Sequence, residues 1–141
     1  MKNSKSYGYA RFESYDELVK YTMQEKGIKT RAEAKTYIQE HLPKESYIQK
    51  RIIQWIKKHV KNCMVWKEAA GPYSRQGIPD ITCIVNGLYY GFEVKRPFIG
   101  KLSRIQEQTI KDIQDAGGRV YVVSSEKEVA RILLPEMELS V

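Results

Sequence analysis

Cysteine is scarce in this chain: Cys63 and Cys83 are the only two in 141 residues. Two thiols cannot build a disulfide framework, and with only two histidines present no His/Cys group has the spacing of a zinc site. Both cysteines are therefore expected as reduced thiols in a reducing compartment, the cytoplasm. No apolar run is long enough to span a bilayer, and Met1-Lys2-Asn3-Ser4 opens without the apolar segment of a secretory signal, so no membrane partner is expected. Blocks of like charge, internal repeats and low-complexity segments are missing as well. Their absence removes polybasic tails, solenoids and long disordered linkers from consideration.

What is present is an ordinary soluble composition with a basic balance. The length suits one domain with at most a small appendage, and the core is large enough to stand without staples. A net charge of +7 points to an anionic partner, nucleic acid first, although solubility alone would explain it about equally well.

The organising stretch runs from Gly77 to Lys95. Asn86-Gly87 is a strong signal for a two-residue type I′ turn, and both flanks are rich in β-branched and aromatic residues. A two-residue loop fixes the register. Val85 then pairs with Leu88, and each outward step pairs the next residue on either side until Asp80 falls opposite Glu93. Alternation places Ile81, Cys83, Val85, Leu88, Tyr90, Phe92 and Val94 on one face. The other face carries Asp80, Thr82, Ile84, Tyr89, Gly91, Glu93 and Lys95.

Two opposed carboxylates are costly. Cβ atoms of paired residues lie about 4.5–5.5 Å apart, and like charges there destabilise a sheet. A divalent cation between Asp80 and Glu93 is the simplest compensation, and hard oxygen ligands favour Mg²⁺ or Mn²⁺ over zinc. Lys95, one pleat further on, could position or activate a nucleophile.

Pro79-Asp80 followed by Glu93-Val94-Lys95 resembles the PD-(D/E)xK nuclease signature, and the wider context resembles its VRR-NUC branch, the virus-type replication-repair nuclease domain. Glu45 opening a preceding helix, Gly77 before the Pro-Asp and Gln106 early in the following helix carry the likeness further, over roughly residues 45–125. The resemblance implies a restriction-endonuclease-like α/β core, α-β-β-β-α-β-α around a mixed sheet, over residues 45–141, with residues 1–44 as a helical N-terminal extension. It also implies a metal-dependent endonuclease acting on DNA, favouring branched DNA such as four-way (Holliday) junctions, working as a homodimer in repair, recombination or replication. A viral or phage-encoded member would act in the host cytoplasm. Asp80, Glu93 and the Val94 carbonyl would hold the metal, with Glu45 completing the shell directly or through water. Lys95 would orient or help deprotonate the attacking water, and Gln106 would support substrate or Lys95.

Plainer readings stand beside these roles. Glu45 is also a first-turn acid favoured by the helix dipole, and a Ser46-x-x-Gln49 capping box would leave it just outside the helix. Gln106 could be spent entirely on a capping box with Ser103. Tyr73, Arg75 and Gln76 lie in the loop that delivers the chain to Asp80, where they could stack on a base or grip a phosphate, or simply form a solvated turn. Arg96 and Lys101 bracket a basic loop with an exposed aromatic, Phe98, that would form a second lip of the cleft.

In the remainder, residues 1–44 read as a flexible start followed by helices over 16–26 and 30–41, with nine Lys/Arg against six Asp/Glu. A cap over the sheet is the favoured role for this pair, with a DNA-binding arm or a dimerisation element as alternatives. Ile48, Ile52, Ile56 and Val60 form a helical stripe over 45–60, and 63–67 reads as a strand. Gly117-Gly118 should end the Gln106 helix, and 119–123 should return as a strand parallel to that of Glu93. A last helix is expected to end before Pro135, leaving 136–141 loosely held.

Overall fold

The protein is described by a computed structural model covering residues 11–69 and 71–139. The first ten residues of the expected flexible start and the last two of the expected loose tail lie outside the described residues.

Two helices come first, α1 (Tyr15–Lys26) and α2 (Arg31–His41), followed by α3 (Glu45–His59). Three strands follow, β1 (Cys63–Lys67), β2 (Ile81–Val85) and β3 (Leu88–Val94), and then α4 (Arg104–Asp115), β4 (Arg119–Val123) and α5 (Glu126–Leu139). The strands form one mixed sheet in the order β1-β2-β3-β4, antiparallel at the first two pairings and parallel at the third. From α3 onward the order is the α-β-β-β-α-β-α expected from the sequence.

Asn86 and Gly87 take φ of 51° and 81°, the double positive φ of a type I′ turn, and the ladder runs from Val85↔Leu88 to Ile81↔Phe92. The apolar face of this hairpin is buried against α3 and α5: Ile81, Cys83, Val85, Tyr90, Phe92 and Val94 meet Ile48, Ile52, Ile56, Val129 and Leu133. Burial of this scale, at roughly 25 cal/mol per Å² of apolar surface, supplies most of the driving force for the core.

The helical pair α1/α2 does not cap the sheet. It closes on itself around Leu18, Val19, Ala34, Ile38 and Leu42, and it docks on Phe98 and Ile99 of the loop after β3. Phe98 is therefore not an exposed lip: its ring stacks with Tyr15 at 6.4 Å. Lys44, not Ser46, is the N-cap of α3, so Glu45 is its first helical residue, and Gln49 is buried instead of reaching back to cap.

The helix end expected at Pro135 is also corrected, since α5 continues through it to Leu139. Glu136 explains why. It is buried, and its carboxylate accepts from the Tyr90 hydroxyl at 2.8 Å while its carbonyl accepts from Asn86 Nδ2 at 3.0 Å. Long-range anchoring of the next turn outweighs the single backbone bond that proline removes.

Candidate active site

Four elements converge at the end of β3. The β1–β2 ladder extends one step past its last strand residues, where the Glu68 amide donates to the Asp80 carbonyl at 2.8 Å. This fixes the Asp80 backbone at the start of β2, a central strand. Its side chain turns across to β3, where Oδ2 accepts from the Val94 amide at 2.8 Å. Gly77 makes the approach workable. Its φ is +82°, and a Cβ there would fall 2.7 Å from both Ile105 Cγ2 and Thr109 Oγ1 of α4, so no larger residue could bring the Pro79-Asp80 segment this close to the helix.

Glu93 is the buried member, with 1% of its surface exposed. Burial, and after it the neighbouring Asp80 carboxyl, hold its pKa well above the ordinary carboxylate range, while Lys95 pulls the other way. Lys95 Nζ lies 3.8 Å from Glu93 Oε2 and 4.0 Å from Glu45 Oε2, so one ammonium bridges carboxylates of β3 and α3. Gln106 makes both bonds that the sequence left as alternatives. Its Oε1 accepts from the Ser103 amide, completing the capping box of α4, and its Nε2 donates to Glu93 Oε2 at 3.1 Å.

The structure thus brings together Asp80, Glu93, Lys95, Gln106 and Glu45. Among the described residues no three His, Cys, Asp or Glu side chains form a metal-holding cluster, and Glu45 reaches the group through Lys95. The donor set for a cation is accordingly the Asp80 and Glu93 carboxylates with a backbone oxygen. One observation fits a cation there: Glu93 Oε1 is buried and has no hydrogen-bond partner. A buried, unpartnered carboxylate oxygen is costly, and a hard divalent ion satisfies it.

The residues expected to touch nucleic acid divide. Tyr73, Arg75, Gln76 and Lys101 are exposed. Arg96 is occupied elsewhere: its Nε donates to the Pro43 carbonyl at 3.1 Å, and its Nη2 to the carbonyls of Gln39 and Leu42. It closes the C-terminal end of α2 and ties the helical pair to the residue after Lys95.

No protein-family model and no curated protein matches the chain. Among solved structures a VRR_NUC domain does, with 26% identity and a TM-score of 0.54 over 63% of this chain and 92% of that one. The chain has the fold of a VRR_NUC domain. The resemblance carried by Pro79-Asp80 and Glu93-Val94-Lys95 is borne out, and the VRR_NUC likeness suggests a nuclease domain. No helix among the described residues is long and apolar enough to cross a membrane.

Reading the sequence missed two features beside this candidate site. One is the commitment of Arg96 to α2. The other is Glu68, whose Oε2 accepts from Thr82 Oγ1 at 2.6 Å and from Trp66 Nε1 at 2.7 Å. Thr82 and Trp66 face each other across β1 and β2, and their shared outward face was the only signal available.

Proposed function

We propose that this protein is a metal-dependent endonuclease that hydrolyses DNA phosphodiester bonds. The observation that carries the reading is the convergence of Asp80, Glu93, Lys95 and Gln106 at one end of the β2–β3 hairpin, with Glu93 Oε1 left unpartnered. In this reading Asp80, Glu93 and the Val94 carbonyl hold Mg²⁺ or Mn²⁺. Such an ion, when bound, lowers the pKa of a water and stabilises charge on a phosphoryl oxygen. Lys95, as an ammonium, orients the attacking water and favours its ionisation, with the Glu45 carboxylate beside it to accept the proton. Gln106 fixes the Glu93 carboxylate, and Arg75 and Lys101 hold phosphates on either side.

Branched DNA such as a four-way junction is the proposed substrate, cut by a homodimer whose two-fold symmetry suits paired incisions in repair, recombination or replication. The basic net charge and the VRR_NUC likeness support a nucleic-acid substrate.

The test is cleavage of labelled single-stranded, duplex, flapped and four-way-junction DNA with Mg²⁺, with Mn²⁺ and with chelator, for the wild type and Lys95→Ala. Metal-dependent cutting that disappears in the variant supports the site, and the ranking of substrates decides the junction preference. A wild type that binds DNA and never cuts it makes the protein a binding module on a nuclease scaffold. Gel filtration that finds a monomer with and without junction DNA removes the dimer.

A further inference from the structure

We propose that the groove beside Asp80, floored by Trp66 and Tyr89, binds an unpaired nucleobase of the DNA strand; only the identity of the polymer rests on the nuclease reading above. The groove lies on the sheet face opposite α3 and α5. Helix α4 packs against β4 on that side and leaves the β1–β2 half open, where Met64, Trp66 and Ile84 are 68%, 36% and 40% exposed. A cavity of about 760 Å³ opens there, lined by Trp66, Glu68, Arg75, Asp80, Thr82 and Tyr89 among others. That volume falls within the roughly 300–1,000 Å³ of small-molecule sites.

The floor is held in place rather than merely exposed. Trp66 Nε1 and Thr82 Oγ1 both donate to Glu68 Oε2. Tyr89 lies along its own strand, because a Cβ on Gly91 would sit 2.6 Å from its hydroxyl oxygen. A shared carboxylate therefore ties β1 to β2 and orients the Trp66 ring, while Tyr89 is laid over Gly91, so both rings are placed beside a carboxylate of the candidate active site.

The chemistry selects the occupant. Glu68 and Asp80 make the groove unfavourable for phosphate, whereas the neutral face of a base suits an aromatic floor. Arg75 on the rim can take the phosphates that flank such a base. Because Asp80 belongs to both the groove and the carboxylate pair, a strand with one base seated here would run its backbone past the hydrolytic centre.

The experiment uses the full chain in chelator, so that no strand is cut. Trp55 and Trp66 are the only tryptophans, and Trp55→Phe leaves Trp66 as the sole reporter. An oligodeoxycytidylate and an abasic strand of the same length are titrated separately. The base-bearing strand is expected to quench Trp66 and to bind more tightly than the abasic one. Trp66→Ala should weaken the former roughly ten- to a hundred-fold and leave the latter unchanged, and Trp66→Phe should keep most of the affinity. Equal affinity for the two strands, or an unaffected Trp66→Ala, overturns the proposal. A Trp66→Ala protein that loses a dimer present in the wild type assigns the surface to a second copy and overturns it too. Cleavage in a parallel Mg²⁺ or Mn²⁺ reaction, with no Trp66 quenching in chelator, would leave the nuclease reading standing and sink the base site; quenching in chelator with no cleavage in the metal reaction would do the reverse.

Discussion

Gln106 donates from Nε2 to Glu93 Oε2 at 3.1 Å while its Oε1 accepts from the Ser103 amide at 2.9 Å, so one side chain both caps α4 and holds the buried carboxylate. The two roles separate by mutation. Ser103→Ala removes half of the cap and should cost about 1 kcal/mol of stability with cleavage retained. Gln106→Ala loses the cap and also frees Glu93, so cleavage should fall roughly ten- to a hundred-fold, as for groups that orient metal ligands. Denaturant unfolding beside a cleavage assay checks both. Equal activity in the two variants would reduce Gln106 to a helix cap.

Lys95 is placed between two carboxylates, Glu93 and Glu45. Lys95→Ala should abolish cleavage by about 10²–10⁴-fold, the range for a positioned proton-transfer group. The folded fraction should hold near neutral pH, because Glu93, its pKa already raised by burial, takes the neutral form once Lys95 is gone instead of staying a buried unpaired charge. Circular dichroism confirms folding, and a single-turnover cleavage rate gives the loss.

The raised pKa of Glu93 gives a signed pH prediction. Its folded-state value lies above the unfolded one, so its neutral form stabilises the metal-free protein fully below the ordinary carboxylate value, and that contribution is lost as pH rises through the raised value. A divalent ion needs the ionised form, so its stabilising effect should grow over the same rise. Thermal unfolding in chelator and in excess Mn²⁺ should therefore give Tm values that diverge as pH increases and converge in acid. Glu93→Gln should flatten the chelator curve and remove the Mn²⁺ shift. Parallel curves would show that Glu93 does not bind the ion.

What the sequence disclosed and what it hid differ by chain distance. Asn86-Gly87 fixes a register through two residues, and Ser103-x-x-Gln106 fixes a helix start through four, so both could be read directly. The Arg96–Pro43 bond spans 53 positions and the Tyr90–Glu136 bond spans 46. No periodicity encodes such pairings. The missed ones turned a supposed DNA-binding arginine into a clamp and carried α5 through a proline. Glu93 and Gln106 became legible only because the hairpin register and the family signature pointed to the same carboxylate.

Arg75 and Arg96, in the loops before Asp80 and after Lys95, should separate in opposite ways. Arg96 donates to three backbone carbonyls at the end of α2, and hydrogen bonds from a charged donor contribute about 1.5–3 kcal/mol before solvent screening. Arg96→Ala should lower stability by about 2 kcal/mol and expose the α1/α2 pair, residues 15–41, to protease. Arg96→Lys should not restore it, because an ammonium lacks the planar fork that reaches separate acceptors. Arg75 is exposed and makes no such bonds among those described. Arg75→Ala should leave stability within about 0.5 kcal/mol and weaken DNA binding, lowering the slope of log affinity against log salt by about one. Measuring unfolding and salt-dependent binding for both variants gives a crossed result if the assignment holds. A reduced salt slope in Arg96→Ala at unchanged stability would return that residue to the DNA interface.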